Sequence, residues 1–274
     1  MFFFVIVLYK CKLEDSISYN SISNSLFINN SQCKLLIWDN SPNLQLVPTQ
    51  TDVWTSIQYY HCPENKGLGI AYNYAYECAK KIDFEWIGLL DQDTNFSTDY
   101  ILKLKTAIDK NKEIKLFAPI VKLKSGLPFS PFKYIFKRGF PLSLTSGKYS
   151  LMKFSPINSG LVINTNSFAI CGGYRLDVKL DFADVQFIER FRLYDSNFYI
   201  FDSVAIQDFS NDETDIIKLK NRFHIYCECA KNCDKKSISD YFAYFYTVSR
   251  HTAALVLRTR NLSFIQIMVK NYIL

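Results

Sequence analysis

The sequence predicts an α/β fold: a mostly parallel central sheet flanked by helices, followed by a helical C-terminal tail. Three observations carry this. Apolar runs of strand length alternate with segments of helical period through the first hundred residues. Polar clusters follow three of those runs, and ligands of open parallel sheets bind beyond the carboxyl ends of the strands. The chain has 274 residues, 49% of them hydrophobic, with only 9 Gly and 8 Pro. That composition suits a domain with a large core and excludes a disordered or fibrous chain.

Phe2–Leu8 is an apolar run of strand length. Leu13, Ile17, Tyr19, Ile22 and Leu26 recur at roughly helical spacing. Lys34–Trp38 is a second buried strand, ended by the turn signal Asp39-Asn40-Ser41-Pro42. Ser56–Tyr60 is a third. Leu68, Ala71, Tyr72, Ala75, Cys78, Ala79 and Ile82 mark one face of a helix, and Trp86–Leu90 is a fourth strand, ending at Asp91. Strands separated by helices pair in parallel through right-handed crossovers. Further on, Leu116–Val121 and Pro156–Ile163 predict strands around a long, loop-rich insertion at 124–153, punctuated by Gly126, Pro128, Pro131, Gly139, Pro141 and Gly147. Gly172-Gly173 breaks a short helix, Asp184–Phe191 is helical, and Phe198–Ile206 is another strand. Beyond about 215 the pattern is mostly helical, with Ile238, Tyr241, Phe242, Phe245 and Val248 on one face.

The formal net charge of +6 is dispersed, with short pairs such as Lys80-Lys81 and Lys235-Lys236. It lacks the basic stripe of a nucleic-acid binder; it suits solvated faces, an anionic membrane surface or diphosphate substrates. The opening Met1–Leu8 is too short for a spanning helix and lacks a basic start and a cleavage site, and no other apolar run approaches the ~20 residues a span requires. The expectation is a cytoplasmic protein whose eight cysteines stay reduced. His224, Cys227, Cys229 and Cys233 fit no common zinc knuckle and read as helix with buried or partly exposed thiols.

Four clusters carry chemistry. In Asp91-Gln92-Asp93 the two carboxylates alternate with Gln92, so both can face the crevice and hold a hard divalent cation that also binds a diphosphate; a turn or helix cap is the plain alternative. Asp39, at the end of the second strand, can accept the imide N–H of uracil or thymine, or simply begin an Asx turn. Asn65-Lys66-Gly67-Leu68-Gly69 precedes a helix, where glycines admit a ligand to the backbone and the helix N-terminus favours a phosphate or ribose oxygen; an ordinary strand-to-helix turn explains it equally well. Asp181 and Asp184 share a helix face or flank its start. One of them can act as a general base, or both can be N-terminal charges favoured by the helix dipole.

In this order the pieces resemble glycosyltransferase family 2, inverting enzymes of the GT-A fold, and especially the rhamnosyltransferase-like members that build O-antigen, capsule and cell-wall polysaccharides. The matching segments are Val5–Lys10, Trp38-Asp39-Asn40-Ser41, Glu64–Asn73, Leu89–Thr94, Asn158-Ser159-Gly160, Gly172-Gly173-Tyr174 and Asp181–Arg190. The resemblance implies a donor site of Tyr9, Asp39, Asn65, Gly67, Asp91 and Gln92, with Asp39 on the nucleobase of a dTDP- or UDP-sugar. It implies Mg²⁺ or Mn²⁺ at Asp93, an acceptor side at Asn158, Ser159 and Gly160, and a base at Asp181, the favoured residue, or Asp184. It implies a lipid-linked oligosaccharide acceptor. Residues 1–214 then form the GT-A catalytic domain. Residues 215–274 form a helical extension whose basic, apolar end, from Arg258 to Leu274, lies at a membrane interface on the inner face of the cytoplasmic membrane, or makes a core or homodimer contact.

One departure matters. Relatives often carry His in a His-Asp-x-Ser-like run after the last core strand, whereas this chain has Gln207-Asp208-Phe209-Ser210. Either Asp208 substitutes as a metal ligand, or the cation rests on Asp93 and the diphosphate alone. Two rival functions follow. A non-catalytic partner in a polysaccharide assembly complex keeps the fold without metal affinity. A nucleotidyltransferase making the sugar nucleotide needs a Gly-rich triphosphate loop after the first strand, where this chain has Tyr9-Lys10-Cys11-Lys12-Leu13-Glu14.

Overall fold

The computed structural model of the chain describes residues 2–208 and 214–274; Phe209 and Ser210 of the departing run lie outside them. The first element is β1 (Phe2–Leu8), followed by a 3-10 turn (Leu13–Asp15), α1 (Ile17–Ile28), β2 (Cys33–Asp39), β3 (Trp54–His61), α2 (Leu68–Lys81) and β4 (Trp86–Leu90). These agree with the sequence reading, and β1 and β4 match it end to end. β1 lies between β2 and β4, parallel to both, and β2 is parallel to β3. Every residue of β1 is buried because helices cover both faces of the sheet. Phe3, Val5 and Val7 join the core under α2, and Phe4, Ile6 and Leu8 join the core under α1. Alternation along one strand thus feeds two cores.

The sequence reading assigns no element to β5 (Thr94–Phe96) or α3 (Tyr100–Lys110). The apolar positions of α3, namely Ile101, Leu104 and Ala107, do have helical spacing, and all three are buried. The sheet continues through β6 (Leu116–Leu123) and past a short β7 (Pro128–Ser130). The 124–153 segment is more regular than expected: β8 (Phe132–Ile135) and β9 (Arg138–Phe140) form a hairpin, and β10 (Gly147–Ser150) follows. Gly139 misleads because it is a strand glycine. A Cβ there would come within 2.9 Å of the Phe132 ring, so the glycine admits an aromatic instead of making a loop.

The predicted strand 156–163 is interrupted. β11 (Phe154–Ser155) pairs with β8, and β12 (Leu161–Asn164) begins only after Gly160, whose φ is +75°. Then come α4 (Thr165–Ile170), α5 (Ala183–Phe191) and β13 (Asn197–Gln207). The main sheet runs β10-β13-β6-β12-β4-β1-β2-β3, with β5 on β13 and β7 on β6. β3, β2, β1, β4, β6 and β13 all point the same way, and β12 runs against them between β4 and β6. The mostly parallel sheet is therefore present, with β12 reversed at its middle and the short β5, β7 and β10 antiparallel on the β6–β13 side.

The tail forms α6 (Ile216–Asn232), α7 (Ile238–Thr259) and α8 (Ser263–Met268), ending in a π-helical turn (Val269–Ile273). Phe223, Tyr244, Val248 and Phe264 of these helices share the α2-side core with Phe187 and Ile188 of α5. Cys227, Cys229 and Cys233 are buried in that same core. Lys137, at the hairpin tip with φ +58°, adds a polar pin: its ammonium is 8% exposed and lies 2.5 Å from Glu189 and 2.9 Å from Asp240. Removing one partner would leave a buried charge uncompensated, so the hairpin, α5 and α7 are held together. Among the described residues no helix is long and apolar enough to cross a membrane.

Candidate active site

The carboxyl ends of β1, β2 and β4 lie side by side and bring the Asp39 and Asp91–Asp93 clusters to one edge. At β4, Asp91 accepts hydrogen bonds from every side. Ser18 Oγ (3.2 Å) bonds Oδ1, while Thr94 Oγ1 (2.8 Å), Gln207 Nε2 (2.9 Å) and Ser159 Oγ bond Oδ2. Gln92 turns back, and its Oε1 accepts from Tyr9 N at 2.8 Å. This fixes the β1 exit against the β4 exit.

Asp93 is the less satisfied acid. Burial, and then the charge of Asp91, push its pKa up to about 6. Two acids that cannot both ionise easily mark a place short of positive charge. Gln207 stands beside them because β13 pairs with β5, setting Gln207 opposite Thr94. Its Nε2 donates to Asp91, its amide also eases the rise at Asp93, and its Oε1 is buried without a hydrogen-bond partner. Carboxylate and amide oxygens of this kind suit a hard divalent cation. Among the described residues there is no cluster of three or more His, Cys, Asp or Glu able to hold a metal, so such an ion would share its coordination with a ligand. Asp208 does not join them: its side chain is 46% exposed and pairs with Lys124 at 2.6 Å.

Asp39 is fully buried. Its Oδ1 accepts from Ser41 N (2.9 Å), and its Oδ2 from Gln45 Nε2 (2.7 Å) and Tyr59 OH (2.9 Å). Burial raises its pKa, but the hydrogen bonds from Ser41, Gln45 and Tyr59 outweigh burial and hold it below the ordinary carboxylate value. The Asx turn of the sequence reading is present, in the Ser41 bond.

The glycines of the Asn65–Gly69 run serve a different neighbour from the one expected. Gly67 has φ +96°, and a Cβ on it would lie 2.5 Å from Lys179 O; one on Gly69 would lie 2.6 Å from Arg175 O. The backbone they admit is the 175–179 segment. Leu68 N donates to Lys179 O at 2.8 Å, and Asn73 exchanges hydrogen bonds with both backbone groups of Tyr174. Asn65, with φ +47°, remains exposed at the crevice side of this seam.

The seam leads to the two acids at the start of α5, Asp181 just before it and Asp184 in its first turn. Asp181 Oδ1 accepts from Arg222 of α6 at 2.8 Å, while Oδ2 is buried without a partner. Burial raises its pKa and Arg222 opposes the rise. Asp184 accepts from Val185 N at 2.8 Å, and burial, reinforced by Asp181, pushes its pKa up to about 6. Phe182, between them, is left-handed at φ +65°, a strained conformation for a bulky residue and of the kind that gathers at functional sites. Asp184 and Asp91 both act on the hydroxyl of the buried Tyr72. Tyr72 in turn packs on Tyr174, whose hydroxyl donates to Asn158 Oδ1 at 2.6 Å. Tyr174 also stacks on Phe187 of α5, so Asn158 and Ser159 tie α5 to the acid end of β4. Gly160 instead turns into the core, where Phe96 and Pro119 leave no room for a Cβ.

Residues 20–161 match the sequence profile described as Glycosyl transferase family 2. The chain belongs to that family. Within known family-2-like proteins, it is 23% identical over 160 residues to the dTDP-rhamnosyl transferase RfbF of Shigella flexneri, over 58% of this chain and 53% of that one. It thus spans about half the length of this curated relative. The crystal structure of S. aureus TarS 1-349 with UDP covers 92% of this chain and 72% of its own, at 16% identity and a TM-score of 0.56. The same protein with UDP-GlcNAc covers 99% and 79%, at 15% identity and 0.58. At these identities the likeness to TarS is one of fold, and it agrees with the GT-A architecture expected from the sequence. The residues sequence reasoning missed are Gln45, Tyr59, Tyr72 and Ser18. Tyr72 was legible only as core, and Gln45 sits in a loop with no pattern to mark it.

Proposed function

We propose that the chain is an inverting glycosyltransferase, moving a sugar from a dTDP- or UDP-linked donor to a hydroxyl of a growing, lipid-linked surface polysaccharide. The observation that carries this is the convergence of a cation-poor acid pair, Asp91 and Asp93, with a further half-buried acid, Asp184, near Tyr72 and Tyr174. The names of the relatives support the donor class: RfbF is a dTDP-rhamnosyl transferase, and TarS holds UDP or UDP-GlcNAc in its crystals.

Asp39 receives the nucleobase, and Tyr9, Asn65 and Gln92 lie along the ribose and diphosphate. Asp93, with the Gln207 amide oxygen, would hold Mg²⁺ or Mn²⁺, which when bound neutralises charge on the departing diphosphate. Asp184 takes the proton of the acceptor hydroxyl as that oxygen attacks the anomeric carbon from the face opposite the diphosphate. Asp184 suits this role better than Asp181. A base with pKa near 6 is mostly ionised at neutral pH yet still basic, whereas Asp181 is held in an ion pair by Arg222. Asn158 and Ser159 line the acceptor side.

Asp184→Asn should lower kcat by about 10²–10⁴-fold with donor affinity unchanged, and kcat/KM of the parent should fall as pH drops below about 6. Full turnover by the variant would remove Asp184 from the role. In a thermal-shift assay, Mn²⁺-dependent stabilisation by UDP or dTDP should vanish in Asp93→Ala; an undiminished shift would place the cation elsewhere. Contact with the cytoplasmic leaflet would use the tail, where Leu257, Leu262, Ile265, Ile273 and Leu274 are exposed beside Arg260 and Lys270. The protein should pellet with anionic vesicles, and a chain ending before Arg258 should pellet less.

A further inference from the structure

The loop between β2 and β3 sends one side chain into the site. Gln45 donates from Nε2 to Asp39 Oδ2 (2.7 Å) and to Cys11 O (3.2 Å), and its Oε1 accepts from Leu13 N (2.8 Å). A primary amide has two N–H donors and one carbonyl acceptor, and all are engaged. The neighbours on either side make no such commitment: Leu44 is 66% exposed and Leu46 is 97% exposed. The strap from Pro42 to Leu46 is therefore held down by this amide and by a 3.2 Å bond from Gln45 N to Tyr59 OH, not by apolar burial. Meanwhile Asp39, the acid assigned to the nucleobase, is fully buried, and the lone pairs a ring would use are taken.

We propose that the Gln45 amide is an internal occupant of the nucleobase subsite, displaced by a nucleotide whose ring carries a carbonyl beside an N–H. This rests on the assignment of Asp39 to the nucleobase. The amide presents an acceptor next to a donor, and Leu13 N–H and Asp39 Oδ2 read that pair. A lactam edge reproduces it. Uracil and thymine carry one at N3–H, and guanine carries one at N1–H and O6; adenine and cytosine have none. When the strap lifts, Asp39 Oδ2 accepts the ring N–H and Leu13 N–H donates to the ring carbonyl. Asp39 and Leu13 N–H each keep a hydrogen bond, and only the longer bonds from Gln45 to Cys11 O and Tyr59 OH are given up. The price of an occupied site is apparent affinity, which is reduced by the fraction of molecules already open. Gln45 thereby sets donor affinity and selects the ring.

The test is calorimetric titration of the full chain and of Gln45→Ala with UDP, dTDP, GDP, CDP and ADP, with inorganic pyrophosphate as the ringless control. The expected result is that the lactam nucleotide the parent binds best binds the variant more tightly, by about tenfold if a tenth of the parent is open. CDP, ADP and pyrophosphate should be unaffected by the substitution. Equal or weaker binding of that nucleotide by a folded variant would make Gln45 a brace and overturn the proposal, leaving the site assignment intact. Binding of the nucleotides that is unchanged in Asp39→Asn overturns the assignment itself, and the proposal with it. A second measurement needs no variant. Hydrogen exchange of the parent should rise across 42–47 when the nucleotide binds, while the Leu13 amide stays protected. Slower exchange across 42–47 on binding overturns the displacement.

Discussion

Asp184 shows how one half-buried group sets two observables. An unfolded carboxyl titrates near 3.8, and in the folded chain burial pushes Asp184 up to about 6. Between those values the native state holds the extra proton, so its stability falls as pH rises from about 4 to 6 and is level above. Asp184→Asn, which can still accept from Val185 N, should therefore stabilise the protein at pH 7.5 by on the order of 2 kcal/mol and leave it nearly unchanged at pH 4. Denaturant melts at the two pH values check this; equal effects at both would mean the carboxyl is not burdened in the native state. The acids of the site were legible in the sequence as residue types at strand ends. Their division of labour was not. Asp181 and Asp184 are equivalent in spacing, and only Arg222, arriving from α6 41 residues away in sequence, distinguishes them.

At the scale of elements, the glycine seam does the positioning. α2 begins where Gly67 and Gly69 let the 175–179 backbone touch it, and that backbone leads directly to Asp181. Donor loop and base segment therefore sit as one layer. Gly67→Ala meets both a φ of +96° and a backbone oxygen at 2.5 Å, and should cost about 2 kcal/mol or more while lowering turnover. Activity assays alongside melts check it; an alanine variant that matches the parent in both would show that the seam yields freely. Periodicity was enough to find β1, β2, β4 and α2, because each shows one uninterrupted pattern: continuous apolar runs for strands buried on both faces, and a helical stripe for α2. It failed at β8 and β9, where a strand glycine under Phe132 has the composition of a loop. It overran at 156–163, where apolar character continues through a turn at Gly160 that only its left-handed φ reveals. Parallel neighbours were inferable from the helices between strands; the reversed β12 was not, since it follows a crossover of irregular chain.

Across the whole molecule, the division at 214 and 215 is a boundary in element type, and we propose that it is not one in stability. Phe223, Tyr244, Val248 and Phe264 belong to the same core as Phe187 and Ile188, and Lys137 ties the hairpin to α5 and α7. Calorimetry should give a single unfolding transition with matching calorimetric and van't Hoff enthalpies. Two resolved transitions would show an extension that melts by itself.

The position of β1 has a consequence for synthesis. The strand is buried along its whole length, with a neighbour on each edge. Its second edge has no partner until Trp86–Leu90 has been made. At the ~5–20 residues per second of translation, the nascent chain carries Phe2–Leu8 with that edge open for several seconds. Slower translation lengthens that interval, and faster folding of the first four strands does not begin until it ends. Shielding the seven apolar residues of Phe2–Leu8 during that interval should raise soluble yield.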